Sequence, residues 1–163
     1  MGGSMEKLSA RPDSTFVAQV VYAIPAMDEL KRRFPAYVNP GYDRVVFEPI
    51  TVCEKISRVA REVEFEYVHL GCDASNATAL SEIDKRCLRP ALPEELFGFD
   101  VKYPEEMKKH PIVALGSTVS IRGKRYVAYL LDDTHGRELC LFWVVRVWTG
   151  DNRFLAVRED AQT

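Results

Sequence analysis

The sequence predicts an α+β domain in which helices pack against an antiparallel sheet, and three observations carry that reading. The last third, Ile112–Arg158, holds four short apolar runs: IVALGSTVSI, RYVAYLL, ELCLFWVVRVW and RFLAVR. They are rich in β-branched and aromatic residues, and Arg-Gly-Lys, Asp-Asp-Thr-His-Gly and Thr-Gly-Asp-Asn interrupt them as turns do. Between residues 76 and 109 the apolar spacing changes from that of a strand to that of a helix. Strands, helices and strands again follow one another in blocks, which is the α+β order.

The elements follow in chain order. Met1–Ser4 reads as a vector-derived remnant ahead of Met5, and residues 5–15 as a polar, flexible N-terminus. FVAQVVYAI, Phe16–Ile24, is a strand. Pro25 then opens a helix over Ala26–Phe34, with Asp28 and Glu29 at its positive end and Lys31, Arg32 and Arg33 at its negative end. Two prolines and Gly41 make Pro35–Tyr42 a turn region. Arg44–Ile56 and Arg61–Leu70 carry β chemistry and could pair as a hairpin, although Thr51–Glu62 also reads as a helix. In the second stretch Val63, Phe65, Tyr67 and His69 alternate with Glu62, Glu64 and Glu66, the period of a half-exposed strand.

From Asn76, Leu80, Ile83, Cys87 and Leu88 recur at helical spacing behind a capping Ser75 or Asn76. Pro93, Glu94 and Glu95 open a second helix, and Glu105–Lys109 forms a helical turn. The closing strands follow. Residues 16–158 therefore form one domain, with 159–163 as a tail.

Bulk properties narrow the function. The chain has 163 residues, a net charge of −2 and a pI near 6.0. That balance argues against a surface built for phosphate backbones, so nucleic acid is not an expected partner. The block Ile112–Arg158 carries seven Lys or Arg against four acids, but they are spread through strands and turns. No apolar run approaches the roughly 20 residues of a membrane span, and Phe16–Ile24 lacks the flanks of a secretory signal, so a cytoplasmic, uninserted protein is expected. Cys53, Cys72, Cys87 and Cys140 form no CxxC pair, and His69, His110 and His135 are scattered. Reduced thiols and no metal or other cofactor are the expectation.

Three motifs in order suggest a family: EIDKRCLRPALPEELFGF (Glu82–Phe99), HPIVALGS (His110–Ser117) and the terminal RFLAVR (Arg153–Arg158). Their arrangement resembles the C-type lectin fold in its formylglycine-generating-enzyme-like branch. Within that branch the chain is most similar to the variable proteins of diversity-generating retroelements. The resemblance covers roughly residues 76–158. It implies a C-type-lectin-like sheet with two or three helices and long surface loops, and a non-enzymatic, receptor-like binding protein. Its variable region would span about 117–158, diversified at adenine positions of the gene.

On that resemblance the displayed set is Ser120, Leu131, Asp132, Asp133, Thr134, His135, Cys140, Phe142, Val144, Val145, Arg146, Val147, Asp151 and Asn152. Nearly all of these types can arise from an asparagine codon by adenine substitution. The alternation supports part of the set, because Cys140, Phe142 and Val144 oppose Leu139, Leu141 and Trp143 on a regular strand. Trp143 and Trp148 are then expected in the core with Phe154 and Ala156. The run Phe142–Val147 reads equally as a core strand or as a displayed patch. Asp132, Asp133 and His135 could form a metal or acid–base cluster, although such a loop more often makes a solvated turn. Arg137 and Arg153 are expected to be structural, stacked on an aromatic ring or paired with an acid.

An enzyme of the formylglycine-generating type remains an alternative, but only Cys140 of its thiol pair lies in the C-terminal portion. The Glu-Pro-Asn, Gln-Pro-Asp and Trp-Asn-Asp motifs of calcium lectins are absent. A self-assembling module is the other alternative. The expected partner is another protein or a cell-surface molecule, met by a monomer.

Overall fold

The computed structural model describes residues 15–43 and 46–159. The expected remnant and most of the polar N-terminus, Arg44 and Val45, and the tail from residue 160 lie outside the described residues. Nine strands are described: β1 (Phe16–Val20), β2 (Tyr37–Val38), β3 (Glu48–Pro49), β4 (Arg61–Val68), β5 (Arg89–Pro90), β6 (Ile112–Ile121), β7 (Lys124–Asp133), β8 (Gly136–Trp143) and β9 (Arg153–Arg158). Three α-helices join them: α1 (Met27–Arg33), α2 (Asn76–Lys85) and α3 (Pro93–Lys102). Thr51–Cys53 makes a 3-10 turn rather than a helix, and Glu106–Lys108 makes the expected helical turn. None of the described helices is long and apolar enough to cross a membrane.

The strands form one sheet in the order β1-β4-β9-β6-β7-β8-β2, with β3 beside β6 and β5 beside β9. The α+β class thus stands, but the sheet is mixed: β6 runs parallel to β9, and β2 parallel to β8. A parallel return needs a long crossover, and the β7–β8 hairpin plus residues 144–152 supply one between β6 and β9. The expected hairpin of residues 44–56 with 61–70 does not form. β3 pairs with β6, whereas β4 lies between β1 and β9. Pro49 keeps β3 short by removing a ladder donor. Val63 and Phe65 bury on one face of β4 while Val68 buries on the other, which requires packed layers on both faces of the sheet.

Helices cover both faces instead of one. Leu30 and Phe34 of the α1 region, with Leu96, Phe97 and Phe99 of α3, pack on Ala128, Leu130, Leu139 and Leu155. On the opposite face Ala79 and Ile83 of α2 join one cluster with Val113, Leu115, Phe154 and Trp148, which Val127 of β7 extends. Ser75 caps α2 through its hydroxyl, which accepts the Thr78 N–H at 3.1 Å.

Two close approaches fix the layout. β6 and β9 begin side by side and then splay, and the chain from Arg89 to Ala91 wedges into the gap. Pro90 pairs with Ala156, Ala91 N–H donates to the Leu155 carbonyl at 3.0 Å, and Gly116 N–H donates to the Ala91 carbonyl at 2.8 Å. Gly116 suits this place because a Cβ there would stand 2.6 Å from the Ala91 oxygen and 2.8 Å from the Pro90 oxygen. The second approach guards the outer edge of β1. The Tyr103 hydroxyl takes the Val17 N–H and donates to the Val17 carbonyl, each at 3.0 Å. Gly98 brings α3 against Gln19, where a Cβ would lie 2.8 Å from the carbonyl oxygen and 3.0 Å from Val20 Cγ2. An exposed edge is a site for unwanted pairing, and α3 closes this one. Gly98→Ala is expected to lower stability by about 1 kcal/mol, since a crowding cost of about 1–3 kcal/mol exceeds a helix-propensity gain of about 1 kcal/mol. Urea unfolding measures it.

Arg89 also anchors α3. Its guanidinium donates to both oxygens of the fully buried Glu95, at 2.9 and 2.7 Å. Glu95 accepts in addition from Leu92 N–H at 2.8 Å and from the Tyr22 hydroxyl at 2.6 Å. Every strong acceptor direction of this carboxylate is thus used, as a buried charge requires.

Candidate functional site

Over β9 and β6, α2 covers the second face of the sheet, but no described helix continues over β7 and β8. There the register sets side chains in rows. Leu131 lies opposite Glu138, Tyr129 opposite Cys140, and Val127 opposite Phe142. β2 extends the first row by pairing Tyr37 with Glu138. Aligned residues share a face, so Tyr37, Leu131, Glu138, Tyr129 and Phe142 form one strip. Tyr37 is exposed, and the other four are half-buried.

Residues 144–148 fold over the end of this strip. Trp148 is held at both sides: its backbone bridges to Ala74, and its indole N–H donates to Asn76 Oδ1 at 2.5 Å. Its ring stacks on Phe142 at 3.7 Å, and Tyr129 meets both rings edge-on at 5.8 and 6.0 Å. The exposed Arg146 places its guanidinium 5.9 Å from the Phe142 centroid. Cys140 lies beneath, with its thiol directed to Glu138 Oε1 at 3.6 Å. Burial pushes that thiol up to about 12, and burial with the neighbouring Cys140 raises the Tyr129 hydroxyl above its ordinary value. A thiol so shifted is a weak nucleophile at neutral pH. Among the described residues no three His, Cys, Asp or Glu side chains converge as a metal would require.

The fourteen residues expected on the surface separate into groups. Leu131, Asp133, Phe142, Val144 and Arg146 belong to this face, and Val145 and Val147 stand exposed beside it at 66% and 57%. Thr134 and His135 form the exposed tip of the β7–β8 hairpin, where Asp133 Oδ1 accepts the His135 N–H at 2.8 Å, so the loop is a solvated turn. Asp132 alternates to the other face, opposite Arg137. Ser120 is exposed but pairs with Arg125, about 27 Å from Asp133 at roughly 3.4 Å per residue. Asp151 lies in the turn before β9, where its Oδ1 accepts from Thr149 Oγ1 at 2.6 Å.

Two expectations of display are corrected. Cys140 is 8% exposed because Tyr129 and Phe142 close over it, and Asn152 is 7% exposed because its amide is committed to Thr149 O and Oγ1 at 3.1 Å each. Trp143 corrects a core expectation. It lies beyond the helices that cover Leu139, half-buried, with Lys124 Nζ 4.5 Å from its ring. Trp148, Phe154 and Ala156 are in the core as expected. Arg137 is structural as expected, stacked on Phe34 and bonded to Asp100 at 2.5 Å. His69 is exposed just past β4 and meets the Gly150 carbonyl at 2.9 Å.

Tyr37, Tyr129 and Glu138 are the members that sequence reasoning missed. The alternation Glu138, Cys140, Phe142 could have supplied Glu138, whereas nothing local announces a two-residue strand returning parallel at Tyr37. Searched against known protein families, curated proteins and solved structures, the chain matches none of them.

Proposed function

We propose that this chain is a non-enzymatic binding protein that presents the β7–β8–β2 face to a protein partner. The observation that carries the reading is the half-exposed strip of Tyr37, Leu131, Glu138, Tyr129 and Phe142, over which no described helix packs, with Arg146 above it. Aromatic residues and arginine dominate the energetics of protein interfaces, because they offer large rigid areas with a polar handle. Phe142 would act as a preorganised anchor, since Trp148 holds it from behind. Leu131 and Val145 would add apolar area, and Glu138, Asp133 and Arg146 would orient the partner.

The retroelement reading belongs to the same proposal, as does the C-type-lectin-like form of the fold. What supports both is that the three motifs meet in space: Arg89–Ala91 lies between β6 and β9. On this reading relatives would keep that wedge and differ at Leu131, Val145, Arg146 and Val147. A near-duplicate of the coding segment for roughly 117–158, differing only at adenines, is the expected genomic signature.

Two measurements test the proposal. Val145→Asp and Arg146→Glu are expected to change unfolding free energy by less than about 0.5 kcal/mol, as substitutions at displayed sites do, whereas Phe142→Ala costs about 2 kcal/mol because it empties a half-buried stack. A photo-crosslinking residue placed at Arg146 or Leu131 in cells should give one dominant protein adduct, and the same residue at Lys108 should not. Equal adduct patterns at all three positions would refute the assignment of this face.

A further inference from the structure

We infer a second binding site, for a small carboxylate-bearing molecule, in the cleft between Arg61 of β4, Arg89 of β5 and the loop after β3. The cleft has a volume of about 490 Å³. It lies across β9 and β6 from the β7–β8 face, and it shares no residue with that face.

The chemistry is that of an anion site already holding an anion. Arg89 spends its two terminal nitrogens on Glu95, and its Nε donates at 2.7 Å to Glu159 Oε2. The same Glu159 oxygen lies 3.6 Å from Arg61. Two guanidinium groups therefore converge on one carboxylate. Glu159 follows the last residue of β9, and its side chain is 43% exposed. It is held by these charges and not by packing. Arg61 Nε is a buried donor without an acceptor, although its guanidinium rests over the Tyr22 ring. Arg61 approaches Glu159 only to 3.6 Å, beyond hydrogen-bond distance, so its terminal guanidinium nitrogens, and not the enclosed Nε, are the donors open to a further acceptor. Lys55 and Ser57 stand at the rim. The floor is apolar, formed by Val52 and Ile56 with the edge of Leu88 beside them.

Cationic donors at one end and an aliphatic floor at the other fit a short-chain carboxylic acid. Its carboxylate takes the place of the Glu159 side chain between Arg61 and Arg89, and its carbon chain lies along Val52, Ile56 and the edge of Leu88. Glu159 is then an internal competitor that sets the affinity. Arg89 cannot be the test residue, because its loss would also unpair Glu95.

The test titrates butyrate and, separately, inorganic phosphate into the full chain and into Glu159→Gln and Arg61→Gln. The Nε–H resonances of Arg61 and Arg89 are followed by proton–nitrogen NMR, and circular dichroism confirms that each variant is folded. Butyrate is expected to shift both resonances, to bind Glu159→Gln at least about ten-fold more tightly, and to lose that response in Arg61→Gln. Ten-fold corresponds to about 1.4 kcal/mol, within the contribution of a hydrogen bond to a charged group. Shifts with phosphate but not butyrate would overturn the assigned ligand class. The absence of any shift in folded Glu159→Gln would overturn the site. Unaltered butyrate binding by Arg61→Gln would do the same.

Discussion

Replacing Glu95 by Gln is expected to destabilise the protein by about 3 kcal/mol, the cost of removing the buried one of the two carboxylates that neutralise the Arg89 guanidinium. Glu95 is fully buried and Arg89 nearly so, and the pair ties the wedge between β6 and β9 to the first turn of α3. The loss should therefore be global, seen as one shifted urea transition followed by the fluorescence of Trp143 and Trp148 together, and not as fraying of α3 alone. Replacing both members with apolar residues, Arg89→Met with Glu95→Leu, should recover part of the loss, because no charge is then buried unpaired, while the half-exposed Glu159 turns to water and to Arg61. A decrease below about 1 kcal/mol for Glu95→Gln would place this pair with exposed ion pairs, which contribute little.

Gly116→Ala is expected to cost about 3 kcal/mol, the upper range for crowding a packed interior. The nearest obstacles to the added Cβ are the backbone oxygens of Ala91 and Pro90, which no rotamer change can move aside. Relief requires separating β5 from β6, and that breaks the Gly116–Ala91 hydrogen bond and shifts the neighbouring bond from Ile50 N–H to the Gly116 carbonyl. The measurement is the same urea transition, and a change within about 0.5 kcal/mol would show that the wedge is loosely held. Gly123→Ala provides the contrast in space, since nothing lies within 4 Å of its added Cβ and only its φ of +80° opposes the change.

Much of the fold was legible because local patterns were strong. IVALGSTVSI and RFLAVR coincide with β6 and β9 residue for residue, and α1 and α2 begin within a residue of where capping and charge placed them. The failures share a cause. β3 and β5 are two residues long and exist only through distant partners, so neither alternation nor a turn signal marks them. Gly116 and Glu95 are informative in retrospect, yet alone they read as a glycine in a strand and an acid in a first helical turn. The candidate face was half legible. Alternation placed Cys140, Phe142 and Val144 together, but which of them meets solvent depends on where Trp148 folds back, 72 residues from the Asn76 that holds it.

By itself the sequence determined the fold class, the two long hairpin strands and the phase of the side chains along them, because those follow from periodicities of a few residues. Only the tertiary structure decided the strand order, the parallel pairings, the placing of helices on both faces and the burial of Cys140 and Asn152. Those depend on contacts between segments far apart in the chain, and the free energy of such contacts resides in packing and hydrogen bonding that no local window contains.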